Sequence, residues 1–192
     1  MDDQNNVKQR IYQCALELFS RNGYDGTSIR HIAKEAGTTV PTIYYYFTNK
    51  EQLFITILKN GIQELENSFV VECDLPAPQR LRSAIVGFLS YCIQNRNMTA
   101  LIFQTWFGPG SPYQSIPSVV QVYENIVKIL DDILVDGIRN GHFRFHQHEE
   151  LAQGILGILT NYVARMLIGN ENIDPVRCGD ITMELIIKGI NI

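Results

Sequence analysis

The apolar residues of this chain recur with the period of an α-helix almost everywhere, and this pattern restricts its fold more than any other feature. The first segment shows it clearly, with spacings of three and four that put one helix face at Val7, Ile11, Ala15, Leu18 and Phe19. The alternation of apolar and polar residues that is typical of a half-buried strand is nearly absent. The sequence therefore predicts an all-α fold.

Turn and cap residues divide this pattern into separate helices. Asn22-Gly23 ends the first helix. A long helix starts near residue 50, where Thr48-x-x-Glu51 is read as a capping box and Asn49-x-x-Gln52 is the alternative register one residue later. Beyond Pro76, periodicity predicts helices at about 79–95, 98–107, 117–140, 149–168 and 175–190.

Composition excludes several classes of protein. No apolar run in the 192 residues approaches the roughly 18 to 20 residues that a membrane-spanning helix needs, so no membrane partner is expected. The polar N-terminus is unlike a signal peptide, and we expect a cytoplasmic protein. The four cysteines show no C-x-x-C spacing that would indicate a zinc or redox site: Cys14, Cys73, Cys92 and Cys178.

Net charge alone does not indicate a nucleic-acid partner, because it is −4 at pH 7. The distribution is more informative, since residues 1–50 carry six Lys/Arg and five Asp/Glu and the acidic excess lies after them. The first 50 residues are thus slightly basic.

Two short helices with a glycine-containing turn between them are predicted at Arg30–Ala36 and Thr42–Phe47. Thr27 or Ser28 offers a hydroxyl cap for the first, and Thr38-Thr39 caps the second. Small residues at the tight turn, Ala33, Ala36 and Gly37, are typical of a helix-turn-helix. The second helix of such a unit enters the major groove of DNA.

The run FSRNGYDGTSIRHIAKEAGTTVPTIYYYFTNKEQLF, residues 19–54, resembles the DNA-binding domain of the TetR family of transcription regulators. The chain matches nearly every fixed position of the family pattern: Phe19, Gly23, Tyr24, Thr27, Ile32, Ala33, Ala36, Gly37, Ile43, Tyr44, Phe47, Lys50, Glu51 and Leu53. A G-x-F-R turn at Gly141–Arg144 is also familiar from that family.

The resemblance implies a nine-helix, Ω-shaped homodimer, with a DNA-binding domain at 1–50 and a ligand-sensing and dimerisation domain at 51–192. It also implies DNA contacts at positions that commonly touch DNA in the family: Thr27, Arg30, Thr38, Thr39, Val40, Pro41, Thr42, Tyr44, Tyr45, Tyr46 and Lys50. Two positions depart from the pattern. Val40 replaces a frequent Lys or Arg, and Thr38 replaces a usual Val.

The second domain is rich in aromatic side chains, which are common in apolar ligand pockets. Candidate ligand-binding residues are Phe88, Tyr91, Phe103, Trp106, Phe107, Tyr123, Tyr162 and Arg165. Each aromatic could equally be an ordinary core residue, and Arg165 could pair with an acidic ligand or only extend to solvent.

No catalytic pattern and no cofactor motif accompanies these residues, so neither an enzyme nor a cofactor is expected. His142, His146 and His148 stand close together, but they begin in a turn without a cysteine or buried carboxylate, and we predict no metal site.

The last two helices carry apolar stripes that would form the homodimer. The predicted interface comprises Leu151, Ile155, Ile158, Leu159, Tyr162, Ile181 and Leu185. Gly154 and Gly157 would let a partner backbone approach.

The favoured interpretation is a repressor that leaves a palindromic operator when a small, largely apolar effector binds. A regulator that activates, or that needs a corepressor, is an alternative within the same class. An alternative from another class is a small-molecule-binding protein or enzyme that retains a vestigial helix-turn-helix. Intact Tyr44 and Lys50 and the lack of catalytic geometry argue against it.

Overall fold

A computed structural model of the chain describes residues 2–69, 74–107, 117–144 and 147–189, with the side chains of 2–5, 117–120 and 189 left aside. These residues form nine helices: α1 Asp2–Asn22, α2 Ile29–Glu35, α3 Val40–Tyr46, α4 Lys50–Asn67, α5 Ala77–Gln94, α6 Arg96–Phe107, α7 Pro117–Arg139, α8 His148–Leu167 and α9 Pro175–Gly189. No strand occurs among them, which confirms the all-α prediction.

Helix starts follow the side chains that can accept from unpaired backbone amides. Ser28 accepts from the amide of His31 at 3.1 Å. At the start of α4, the amide of Gln52 donates to Asn49 Oδ1 at 2.7 Å. The favoured capping register at Thr48 is therefore wrong, and the alternative at Asn49 is the one that forms, since α4 begins at Lys50.

The chain divides into two compact units. The first contains α1 to α3, most of α4, and α6. Its core includes three aromatic rings in mutual contact, with Phe54 edge-on to Phe19 at 5.1 Å and to Tyr24 at 5.0 Å between ring centroids. These contacts join α1, the turn after it and the start of α4.

Helix α6 belongs to this first unit although it follows α5 in the chain. It packs along α1, and Gln104 Nε2 donates to the carbonyl oxygen of Ser20 at 2.8 Å. Met98 and Leu101 of α6 are buried. The predicted domain boundary at residue 50 stays a prediction, while the compact units divide within α4, after Gln63.

The second unit contains the last turn of α4 with α5, α7, α8 and α9. Phe69, just beyond α4, packs on Phe88 of α5 with 5.1 Å between ring centroids. Helices α5 and α9 lie so close that a Cβ on Gly179 would come within 2.7 Å of Val86 Cγ2. Arg80 of α5 pairs with Asp136 of α7 at 2.7 Å.

None of the helices in the described ranges is long and apolar enough to cross a membrane.

Helices α7 and α8 are joined by His148, the first residue of α8. Its Nδ1 lies 2.5 Å from Asp131 Oδ1 on α7. This hydrogen bond raises the pKa of His148 above its ordinary value, with smaller opposing and reinforcing effects from desolvation and from the nearby carboxylates. The protonated imidazole is therefore favoured in the folded chain.

We expect the His148–Asp131 pair to stabilise the fold more at acid than at alkaline pH. Because the folded-state pKa is raised, the contribution is fully present below the unfolded value of about 6.5 and is lost as pH rises through the folded-state pKa. Urea unfolding of the wild type and of His148→Gln should thus differ more at about pH 5.5 than at about pH 8.5. His142→Gln, an exposed histidine of the preceding turn, is the matched control. A difference independent of pH would contradict this assignment.

Candidate nucleic-acid interface

Helices α2 and α3 and the turn between them form the predicted helix-turn-helix. Gly37 adopts a φ of +57°, which favours glycine, and ends α2. Two backbone bonds close the turn, from Gly37 N to the Lys34 oxygen at 3.2 Å and from Thr38 N to the Ala33 oxygen at 2.9 Å. This pattern is the Schellman motif, which satisfies carbonyls that the helix end would leave unpaired.

The start of α3 is organised by two threonines. Thr39 is the N-cap, and its Oγ1 accepts from the amide of Thr42 at 3.3 Å. The two hydroxyls also share a hydrogen bond of 2.8 Å. Pro41 occupies the first turn, where no intrahelical bond needs its missing N–H.

The two faces of α3 differ sharply. Ile43 and Phe47 are buried and attach the helix to the first unit. Tyr44 and Tyr45 are 48% and 74% exposed and present their phenols to solvent. Tyr46 is half-buried, with its ring 5.0 Å from that of Tyr45. A helix with two exposed neighbouring tyrosines offers hydroxyl donors to phosphates and base edges.

Lys50 is held against the first unit. Its Nζ lies 4.0 Å from the centroid of the Tyr24 ring, a cation–π contact. Burial lowers the pKa of Lys50, and the nearby Asp25 carboxylate acts in the opposite direction. The residue is the first of α4, so its charge lies beside a helix N-terminus, where phosphates bind readily.

One predicted DNA contact is corrected by the structure. Thr27 is only 1% exposed, and its Oγ1 donates within the chain, to the carbonyl oxygens of Gly23 at 2.8 Å and Leu18 at 3.1 Å. The hydroxyl therefore fastens the turn between α1 and α2 and is not available to a phosphate. The remaining members of the predicted set are exposed or half-buried: Arg30, Thr38, Thr39, Val40, Pro41, Thr42, Tyr44, Tyr45, Tyr46 and Lys50.

Sequence reasoning missed Arg10, which lies on α1. Its Nε donates to the carbonyl oxygen of Ala36 at 2.8 Å, at the end of α2. Nothing in the sequence pattern distinguishes this arginine from any other polar residue on the outer side of α1. The contact spans 26 residues of sequence, so only the fold reveals it.

Three of the predicted ligand-binding aromatics lie on α6, in the first unit. The ring centroids of Phe103 and Phe107 are 5.2 Å apart, and those of Trp106 and Phe107 are 6.3 Å apart. Phe103 and Trp106 are half-buried, whereas Phe107 is 61% exposed. These rings form one cluster at the end of α6.

The other candidate ligand residues lie in the second unit. Phe88 is buried against Phe69, and Tyr123 is 43% exposed. Tyr91 donates from its hydroxyl to Glu64 Oε2 at 3.3 Å. Tyr162 is half-buried, with the Arg165 guanidinium carbon 5.8 Å from its ring centroid.

Arg165 already has an acidic partner within the chain. Its side chain is exposed and pairs with Glu171, with Nη2 2.5 Å from Oε2. This pair raises the pKa of Arg165 and lowers that of Glu171. Of the two alternatives for this residue, extension to solvent is the one the structure favours.

The predicted dimer residues fall into two groups. Ile155 and Leu159 are both 0% exposed within the single chain, so they belong to its own core and their assignment to the interface is wrong. The spacing of apolar residues in the sequence could not distinguish core residues from interface residues, because α8 carries both. The others are half-buried or exposed: Leu151, Ile158, Tyr162, Ile181 and Leu185.

Within the described ranges, no three His, Cys, Asp or Glu side chains are grouped closely enough to hold a metal ion. His146 and Cys73 lie outside those ranges.

Comparison with known proteins supports the helix-turn-helix assignment. The family model for bacterial regulatory proteins of the tetR family matches residues 11–57. The fatty acid metabolism regulator protein of Bacillus subtilis is 27% identical over 187 residues, which cover 95% of this chain and 94% of that protein.

Solved structures agree along nearly the whole chain. FadR of B. subtilis, in complex with stearoyl-CoA, superposes with a TM-score of 0.74 at 26% identity and covers 95% of this chain and 98% of its own. A tetR-family regulatory protein of Rhodococcus RHA1 gives a TM-score of 0.79 at 21% identity, with 96% of both chains covered. Together these likenesses support a TetR-family regulator of transcription that binds DNA and responds to a ligand.

Proposed function

We propose that this chain is a repressor that binds a two-fold operator as a homodimer and leaves it when a long-chain acyl-CoA binds. The observation that carries the DNA-binding half is the pair of exposed tyrosines on α3 above the buried Ile43 and Phe47. Both tyrosines lie on the side of α3 opposite the residues that attach this helix to the core. They are suited to donate to DNA.

The homodimer is proposed to form through the outer faces of α8 and α9. Nothing lies within 4 Å of a Cβ placed on Gly154 or Gly157, so this face of α8 is open to a close partner. On α9, Leu185 is 59% and Ile181 41% exposed, and together they leave apolar surface uncovered in the single chain. A second copy of the same two helices would cover it.

The effector is proposed from similarity to the B. subtilis regulator in complex with stearoyl-CoA, which extends over 95% of this chain. A long acyl chain suits the apolar, aromatic lining predicted from the sequence. The CoA portion adds anionic groups that the expectation of a small, largely apolar effector did not include.

The last turn of α4 supports a route from effector to DNA. Glu64 accepts from Tyr91 of α5 at 3.3 Å, and Glu66 accepts from Asn125 of α7 at 2.8 Å. The first residue of the same helix, Lys50, belongs to the proposed DNA-contacting set. An effector that displaces Tyr91 would release Glu64 and change the position of α4, so α4 is the proposed link.

Replacing Tyr44 with alanine should weaken specific DNA binding by roughly 5- to 150-fold, the range of one good base or phosphate contact. The measurement is fluorescence anisotropy with a duplex that the wild-type chain selects from a pool with a random centre of about 30 base pairs, which is room for two half-sites.

Tyr44→Phe removes the hydroxyl and keeps the ring. If the hydroxyl is the contact, this variant should lose nearly as much affinity as Tyr44→Ala. Tyr12→Phe, on α1 of the same unit, is the matched control and should bind like the wild type. Selection of a duplex with a single half-site would contradict the two-fold model.

Leu185→Glu should convert the dimer into a monomer, because a carboxylate would be buried in the middle of the proposed interface. Light scattering at several protein concentrations measures the mass. Leu185→Met keeps the volume and the apolar character and should stay dimeric. A Leu185→Glu chain that is folded by circular dichroism and retains the dimer mass would refute this interface.

Saturating operator duplex should weaken stearoyl-CoA binding by the same factor by which stearoyl-CoA weakens operator binding. Coupling of this kind is typically about 5- to 150-fold. Isothermal titration of stearoyl-CoA into the chain, with and without the selected duplex, gives the factor, and CoA alone is the control for its polar portion. Equal affinities would mean that stearoyl-CoA does not act through the operator-binding equilibrium.

A further inference from the structure

We propose that Arg10 is a positioning residue for DNA recognition, which sets the orientation of α3 by holding the turn after α2 and does not itself contact DNA. The inference rests on the DNA recognition by α3 proposed above. The observation behind it is the hydrogen bond of 2.8 Å from Arg10 Nε to the carbonyl oxygen of Ala36.

The acceptor of this bond is a carbonyl that the turn itself does not use. Backbone amides in and after α2 satisfy the carbonyls of Ile32, Ala33 and Lys34. No backbone amide of the turn donates to the carbonyl of Ala36, the C-cap, which as a residue is only 1% exposed. A carbonyl at such a position needs a donor, and the Arg10 guanidinium supplies a charged one. Its positive charge also lies at the C-terminal end of α2, where the helix dipole favours a cation.

The donor comes from a well-anchored helix. Ile11, the neighbour of Arg10, is fully buried, and Ala15 one turn later is fully buried too. The hydrogen bond from Arg10 therefore fixes the position of Ala36 relative to the core of the first unit. Ala36 is followed at once by Gly37, and Thr39, the N-cap of α3, lies three residues after Ala36. A displacement of the Ala36 peptide would tilt α3 from its first residue.

Holding the turn is distinct from contacting a phosphate, and salt dependence separates the two roles. A lost phosphate contact lowers the slope of log affinity against log salt by about one and weakens specific and non-specific binding alike. A lost positioning bond leaves the charge contacts in place. It should lower specific affinity and leave both non-specific affinity and the salt slope as they are.

The test compares Arg10→Ala with the wild type by anisotropy, using the selected duplex and a scrambled duplex of the same composition at several salt concentrations. We expect specific affinity to fall about tenfold, the effect of one charge-assisted hydrogen bond, with the scrambled duplex and the slope unchanged. Arg10→Lys, which keeps a charged donor, should recover part of the loss. It also keeps the test decisive if the alanine variant does not fold.

Two variants calibrate the measurement. Arg21→Ala removes an arginine of the same helix whose partner, Glu17 at 2.8 Å, lies one turn earlier on α1, and it should bind like the wild type. Lys50→Ala represents a lost phosphate contact and should lower the slope.

A second readout needs no DNA. Hydrogen exchange of peptides covering residues 35–39 should be faster in Arg10→Ala and unchanged in Arg21→Ala, since only the first loses the bond to Ala36.

Three results would overturn the proposal: unchanged specific affinity, a slope lowered by about one, or unchanged exchange in the turn. If the wild-type chain selects no duplex, the proposed repression fails instead. The exchange comparison then still decides whether Arg10 holds the turn.

Discussion

Helices α2 and α3 have seven residues each, and helices of that length are not stable in water on their own. Everything that the first unit does with DNA depends on overcoming this limit. The structure meets it with side-chain caps at Ser28 and Thr39, a glycine-ended turn, and burial of Ile43 and Phe47. Helix α1 packs against both short helices and provides the surface on which they fold.

The polar contacts at the end of α4 differ in kind from these apolar ones. Glu64 and Glu66 are held by hydrogen bonds from Tyr91 and Asn125, and a hydrogen bond to a charged group contributes about 1.5–3 kcal/mol. One such bond is comparable with the 1–3 kcal/mol of a typical coupling between sites. These bonds hold the last turn of α4 to α5 and α7, and in the proposed switch they are the contacts that a ligand would change.

Local rules were sufficient for the fold. Cap residues, glycine turns and helical periodicity act within a few residues of each other, which is why the predicted helices differ from the observed ones by only one or two residues at most ends. The errors arose at residues whose burial is determined by contacts with distant parts of the chain. Thr27 was predicted to contact DNA, but in the fold its hydroxyl donates to a carbonyl of α1. Ile155 and Leu159 were predicted to lie in the dimer interface, but they belong to the core. The contact of Arg10 is of the same kind.

The outward position of Tyr44 and Tyr45 has a consequence for how such a regulator can diverge. Because Ile43, Phe47 and the caps carry the folding of α3, the side chains of its outer face are nearly free of any demand from stability. If this face reads DNA as proposed, mutations there change which sequences are bound while the chain remains folded. A gene duplicate could thus acquire a new set of target genes through a few substitutions, with no compensating change in its core. The same separation makes the outer face of α3 a natural starting point for the design of altered specificity.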